Sequence, residues 1–168
     1  MGCCILQRMK ILLLSMALAT AAIAAGQATQ TEDDKTAVLA TVQKFFDTMA
    51  ARDVEGARLV LMPDGRTVSV RDQNGQTVAR ASTVEAYLDN LAKGKSASRE
   101  RMWNPEVRIR GAVASVWTPY DFWVDGKFSH CGIDAFTLIK TGDGWKISSG
   151  TWTIEREGCA PSPLGPLK

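Results

Sequence analysis

Three ionisable side chains in the second half of the chain, Asp121, His130 and Asp134, stand where proton chemistry could be done. His130 is the single histidine, and imidazole changes charge near neutral pH. Against a carboxylate such as Asp121 it would hold its proton more readily and act as acid or base. The same pair could equally do no more than pin a hairpin. Asp134 lies between Ile133 and Ala135-Phe136 in an aromatic-rich run. A carboxyl in such surroundings tends to be held neutral and to donate a hydrogen bond. The plainer alternative for Asp134 is a structural bond to Thr151 or to a helix end. Asp134 and His130 are thus the candidate catalytic pair. No Cys/His spacing of a metal site, Gly-rich phosphate loop, nucleophile elbow or HExxH sequence is present, and no cofactor is implied.

The elements that position these residues are strands. Asp125-Gly126 and Thr141-Gly142-Asp143-Gly144 read as two hairpin turns between runs rich in Val, Trp, Tyr, Phe, Ile and Thr. A two-residue turn at Asp125-Gly126 pairs Val124 with Lys127, which sets Asp121 opposite His130 and Trp117 opposite Asp134. If Lys140 pairs with Trp145, Asp134 falls opposite Thr151 and Phe136 opposite Ser149. On this register Trp117, Asp121, Trp123, His130, Asp134, Phe136, Ser149 and Thr151 share one face, with Leu138, Trp145 and Ile147 as its apolar end. An apolar wall with a few polar groups is how small-molecule pockets are composed, so these are the expected ligand-binding residues. A slip of one residue would invert every assignment. Of the five tryptophans, core packing is expected to explain most and stacking on a flat ligand the rest. Arg99, Arg101, Arg108 and Arg110 read as a solvated strand face.

The first half reads as helical. Val38, Val42, Phe45, Phe46 and Met49 recur on one helix face, opposed by Lys35, Lys44, Asp47 and Arg52. A second helix is expected from Val54 to Leu61, stopped by Pro63. Thr67–Arg71 reads as a strand and Asn74-Gly75 as a tight turn. Ser82 and Glu85 read as a capping box for a third helix, which buries Val84, Tyr87, Leu88 and Leu91 and ends by Gly94. Helices followed by a meander of long strands make an α+β fold with the helices packed on one face of a curved antiparallel sheet.

This order of elements resembles the nuclear transport factor 2-like superfamily, a cone-shaped cystatin-like roll around a pocket. Phe45-Phe46-x-x-Met49-x-x-Arg52-Asp53, Asp125-Gly126-Lys127-Phe128-Ser129-His130-Cys131-Gly132-Ile133-Asp134-x-Phe136 and Gly144-Trp145-Lys146-Ile147 are similar to the exported, SnoaL-like or lumazine-binding-like branch. The resemblance implies a pocket protein, in a group that also holds ketosteroid isomerase-like enzymes, cyclases and dehydratases, and pairing of many members as dimers. By resemblance Asp134 matches the oxyanion-stabilising acid of ketosteroid isomerases. The tyrosine of that set falls at Phe45 and its aspartate base near Val70, so a steroid-isomerase reaction is not expected.

The start of the chain reads as a signal peptide over residues 1–24. Arg8 and Lys10 precede an uncharged run from Ile11 to Ala25, and Ala22-Ile23-Ala24 fits the cleavage pattern. That run is shorter than the roughly 20 residues that span a bilayer, which makes a retained anchor the alternative to a cleaved signal. Met9 offers an alternative start. Met1-Gly2-Cys3-Cys4 is set aside as a lipidation site, because Leu6 stands where myristoylation wants Ser or Thr. Residues 25–34 form a polar leader, 35–159 the domain and 160–168 a proline-rich tail expected to be unstructured or to drape the surface. Without residues 1–24, Lys+Arg falls from 20 to 18 and equals the 18 Asp+Glu, which points away from nucleic acid and anionic membranes. Cys131 and Cys159 remain, and an isolated pair in an oxidising compartment reads as a disulfide.

These features lead to an exported periplasmic or extracellular protein holding a small, largely apolar or aromatic ligand. An isomerase-, dehydratase- or cyclase-type enzyme using Asp134 and His130 is the alternative. A second alternative is a homodimeric module pairing through an outer sheet face that carries Tyr120, Phe122, Ile133 and Ile139.

Overall fold

A computed structural model describes residues 32–167. The expected signal peptide and nearly all of the expected leader lie outside the described residues. The chain divides into two compact units, Met1–Thr36 and Ala37–Lys168, and the architecture that follows is that of the second.

Helix α1 covers residues 32–51. Its apolar stripe is the expected one: Val38, Val42, Phe45 and Phe46 are buried, and Met49 packs beside them. Asp53 caps α2 (Val54–Val60) by accepting from the Gly56 N–H at 2.8 Å. Strand β1 (Leu61–Gln73) follows without a loop. Pro63 does not stop the helix from outside but sits in the irregular stretch of β1 between Leu61 and Arg66, where the ladder is interrupted and no N–H is needed. Strand β2 (Gln76–Thr83) returns through Asn74-Gly75, both at positive φ. The cap of α3 (Val84–Lys93) is Thr83 rather than Ser82; its hydroxyl accepts from the Ala86 N–H at 3.2 Å. Glu85 instead meets Arg58 of α2. Gly94 closes the helix as expected.

Strands β3 (Ser98–Met102), β4 (Glu106–Arg110), β5 (Val113–Val124), β6 (Lys127–Thr141) and β7 (Gly144–Ile154) complete a seven-stranded sheet of order β2-β1-β7-β6-β5-β3, with β4 also on the free edge of β5. Among the described residues only β1 and β7 pair in parallel. Three helices and an open, mostly antiparallel sheet are the expected α+β class. One face of the sheet supplies Ala114, Val116, Phe136, Leu138, Trp145 and Ile147 to the core beneath the helices. Each large apolar side chain so buried is worth about 1.5–3 kcal/mol over leaving it in water.

Both hairpins form at the expected turns, with Val124 opposite Lys127 and Lys140 opposite Trp145. Each ladder then slips. Ser129 is bulged out of the first, so Phe122 faces His130, Asp121 faces Cys131, Thr118 faces Asp134 and Trp117 faces Ala135. Ser148 is bulged out of the second, so Phe136 faces Gly150 and Asp134 faces Trp152. An extra residue on one strand moves everything beyond it by one place.

Cys131 and Cys159 form a disulfide with a sequence separation of 28, which in the chain-entropy description stabilises by about 3–4 kcal/mol. It fastens the tail to the sheet, and the Gly165 carbonyl accepts from Arg101 Nη2 at 2.8 Å. The tail therefore lies on the surface in contact with β3.

Gly132 allows a close approach on the inward face. A Cβ there would stand 2.2 Å from the Thr153 carbonyl oxygen and 2.8 Å from the Tyr120 ring. Gly132→Ala is expected to cost about 2–3 kcal/mol in urea unfolding, at the upper end for overpacking. Unchanged stability would show that the backbone at Thr153, and not only the Tyr120 ring, can yield.

Candidate functional site

The bulges divide the expected one-faced set. His130, Asp134 and Phe136 lie on the inward face. Trp117, Ser149 and Thr151 lie on the other and line an open groove of about 430 Å³ with Glu106, Arg108 and Thr137. Asp121 and Trp123 line a second outer cleft, beside the tail. Trp117 is 54% exposed, so it is no part of the interior wall.

His130 does not meet Asp121. Its ring stacks on Phe122 at 4.8 Å, meets the edge of Tyr120 at 5.8 Å, and its Nδ1 lies 3.0 Å from Ser129 Oγ. Burial, and then the nearby Arg156, hold its pKa below the ordinary value, the reverse of what a carboxylate partner would do. Asp121 instead receives a forked ion pair from Arg101, 2.9 Å at Nε and 2.5 Å at Nη2. Of the residues expected to pair subunits, Tyr120 is 1% exposed, its hydroxyl donating to the Thr153 carbonyl at 2.6 Å. Phe122 stands with His130 on the inward side.

Asp134 is buried, at 1% exposure. Thr151 is not its neighbour across the ladder. What meets it is Glu100 from β3: the residue is partly exposed at the sheet edge, but its carboxyl turns inward against Asp134. Burial raises the Asp134 pKa to about 7, opposed by the hydrogen bond from Glu100. Glu100 is raised well above the ordinary carboxyl value by burial and then by Asp134. Two carboxyls in contact cannot both ionise in a dry site, so they share a proton that resides on Glu100 when Asp134 is charged. Asp134 Oδ2 nevertheless has no hydrogen-bond partner.

The surroundings are aromatic. Phe45 and Phe46 from α1 each stand 6.0 Å from the Phe136 ring, and Phe45 stands 5.4 Å from Tyr87 of α3. The Tyr87 hydroxyl is buried with no partner. Burial and then the charge of Glu100 push its pKa up, keeping it a donor at all ordinary pH. Tyr120 is likewise raised, by burial and then by Glu100 and Asp134. The site thus offers a carboxyl pair and a phenol among aromatic rings, which can hold a polar group of an otherwise apolar molecule. Among the described residues no cluster of His, Cys, Asp and Glu could hold a metal ion.

The sequence matches the family described as "Putative lumazine-binding" over residues 33–153. The chain belongs to that family. Its fold is that of the nuclear transport factor 2-like superfamily. A nuclear transport factor 2-like protein from Cytophaga hutchinsonii is 18% identical, with a TM-score of 0.59 over 71% of this chain and 97% of its own. One with a cystatin-like fold from Novosphingobium aromaticivorans is 14% identical, with a TM-score of 0.62 over 80% and 90%. One from Salmonella enterica is 12% identical, with a TM-score of 0.61 over 77% and 96%. At such identities these structures show the fold alone. A search of curated proteins found no match.

Within this family member, Glu100 is the site residue that sequence reasoning missed. It sits in Arg99-Glu100-Arg101, which reads as a solvated face. Its strand parity with Met102, which packs on the core, was the available signal. Tyr87 faces inward as its helical spacing predicts, but nothing in that spacing marks it as an unpartnered donor.

The pair makes a pH prediction. Asp134 has a folded-state pKa above its unfolded one, so its contribution is most favourable below about pH 4 and is lost as pH rises through about 7. Asp134→Asn is therefore expected to be more stable than the parent at pH 8, by roughly 1–3 kcal/mol, and the difference should shrink towards pH 5. Urea unfolding at the two pH values checks this; a variant less stable at pH 8 would mean that the carboxylate is well compensated.

Proposed function

We propose that the chain is an exported pocket protein that binds a small, largely apolar or aromatic molecule against Asp134. The observation that carries this reading is the pair of buried, unpartnered polar atoms, Asp134 Oδ2 and Tyr87 Oη, in an aromatic interior. Buried polar groups are almost always satisfied. Two left over at one aromatic site, one acceptor and one donor, are what a bound molecule would complete. Small-molecule sites have this composition, apolar walls with a few convergent polar groups. The family description supports the same reading.

Export is supported by the Arg8-to-Ala24 pattern and by the disulfide, since disulfides persist in oxidising compartments. Among the described residues no helix is long and apolar enough to cross a membrane.

One observation favours the enzymatic reading, of the isomerase, dehydratase or cyclase type. The Glu100–Asp134 pair places a proton donor beside a proton acceptor whose pKa is about 7, the range suited to acid–base work near neutrality. Glu100 takes the place that the sequence suggested for His130. Pairing of two copies is favoured by a different feature, the exposure of Val113, Trp117 and Ile139 on the outer face.

The binding reading is tested by native mass spectrometry of the oxidised protein purified from its export compartment. A bound species of a few hundred daltons is expected on the parent. Tyr87→Phe should leave thermal stability nearly unchanged, because it removes an unsatisfied hydroxyl, yet lower occupancy at least tenfold. A folded protein that carries nothing, or equal occupancy in the variant, would sink the proposal.

A further inference from the structure

The outer cleft beside the tail lies on the face of the sheet opposite Asp134. Its volume is about 310 Å³, and its walls are Trp103, Asp121, Trp123 and Phe128 on one side and the tail, with Pro161 and Pro166, on the other. Trp123 and Phe128 meet edge to face at 5.7 Å. The Arg101 guanidinium stands 5.3 Å from the centre of the Trp123 ring.

Charge is already settled here. Arg101 and Asp121 satisfy one another, with side chains 16% and 3% exposed, and Arg101 also holds the Gly165 carbonyl. An ion would therefore find no free counter-charge, and a charged ligand would lose hydration without replacement. The unmet group is a donor: Trp123 Nε1 is buried with no hydrogen-bond partner, whereas a buried indole N–H usually finds one. The volume is at the small end for ligand sites. Aromatic rings and proline faces favour a flat partner.

We propose that this cleft is a second binding site, for a neutral, flat heteroaromatic molecule of one or two rings that presents a carbonyl or ring-nitrogen acceptor to the Trp123 indole. The tail forms one wall, so the site exists only while residues 161–167 lie on the sheet. The disulfide at Cys159 keeps them there. The site is independent of Asp134 and stands or falls separately from the binding proposed there.

The test is an NMR titration of the oxidised ¹⁵N-labelled protein with 2-quinolone, a flat bicyclic lactam, and with naphthalene as its counterpart without an acceptor. The Trp123 indole resonance is assigned by its disappearance in Trp123→Phe. It should move downfield and saturate with 2-quinolone, and naphthalene should bind at least tenfold more weakly. Ending the chain after Ala160, which keeps the disulfide, should weaken 2-quinolone binding at least tenfold. Phe128→Ala, at a residue already 45% exposed, should do the same without threatening the fold. Asp134→Asn should leave the titration unchanged, which separates this site from the interior one. An indole resonance unmoved at millimolar 2-quinolone, equal affinity for naphthalene, or full affinity without the tail would each overturn the proposal.

Discussion

The pairing of β6 with its two neighbours is the constraint from which the rest of the structure follows. Side chains alternate between the faces of a strand, so the register of one ladder decides for every residue which side it serves. β6 is 15 residues long and is paired along both edges, and each ladder carries one bulge. The bulge at Ser129 brings Cys131 opposite Asp121, on the outer face, where Cys159 reaches it. The same slip sets Asp134 beside Thr118 and above the helices. Alternation alone puts Cys131 and Asp134, three residues apart, on opposite faces; the slip decides which β5 residues join each of them, Asp121 beside Cys131 and Thr118 beside Asp134. Gly132, between them, leaves room for the Tyr120 ring and the Thr153 carbonyl.

The price of that arrangement is electrostatic. Burying a carboxyl among aromatic rings is unfavourable unless it is neutral or paired, and the partner offered to Asp134 is another acid. Sharing one proton relieves the repulsion but leaves a buried pair whose charge changes near neutral pH. A residue kept only for stability would be better as an amide or a hydrocarbon there. The conflict between local cost and global fold is the kind expected at functional sites, and it sits where the Tyr87 hydroxyl is also unsatisfied.

Much of this was legible in the chain. The stripe from Val38 to Met49 declared α1 because large apolar residues repeating every three to four positions line one side of a helix and no single side of a strand. Asn74-Gly75 and Asp125-Gly126 declared their hairpins because both turn positions need positive φ, and all four residues have it. The burial of Asp134 was also legible, from Phe136 and the apolar run around it. The bulges were not. A two-residue turn fixes only the first rungs of a ladder, and nothing in Ser129 or Ser148 announces an extra residue. Trp117, Ser149 and Thr151 therefore fall on the face opposite to the expected one, while Asp134 and Phe136 keep theirs. Glu100 was hidden for a related reason: a charged triplet on an edge strand looks solvated until the strand's partner is known.

That edge strand carries the last consequence of the pleat. β3 has only five residues, and Glu100 and Arg101 are neighbours in it. Because successive side chains point to opposite faces, Glu100 reaches the interior pair with Asp134 while Arg101 reaches the outer ion pair with Asp121 and the tail carbonyl of Gly165. One short strand thus carries a member of the inner carboxyl pair and a member of the outer ion pair on adjacent residues. Leu164 of the tail also lines a small cavity of about 200 Å³ with Glu100, Phe46 and Asp47, a second contact between the tail and the same strand. An edge strand has a ladder on one side only, so side-chain contacts hold much of its position. Arg101 and the tail are those contacts on the outer face, and the proton shared with Asp134 is the one within. The two sets of contacts hold the same short strand from its two faces, and the disulfide at Cys159 is the covalent element that keeps the outer one closed.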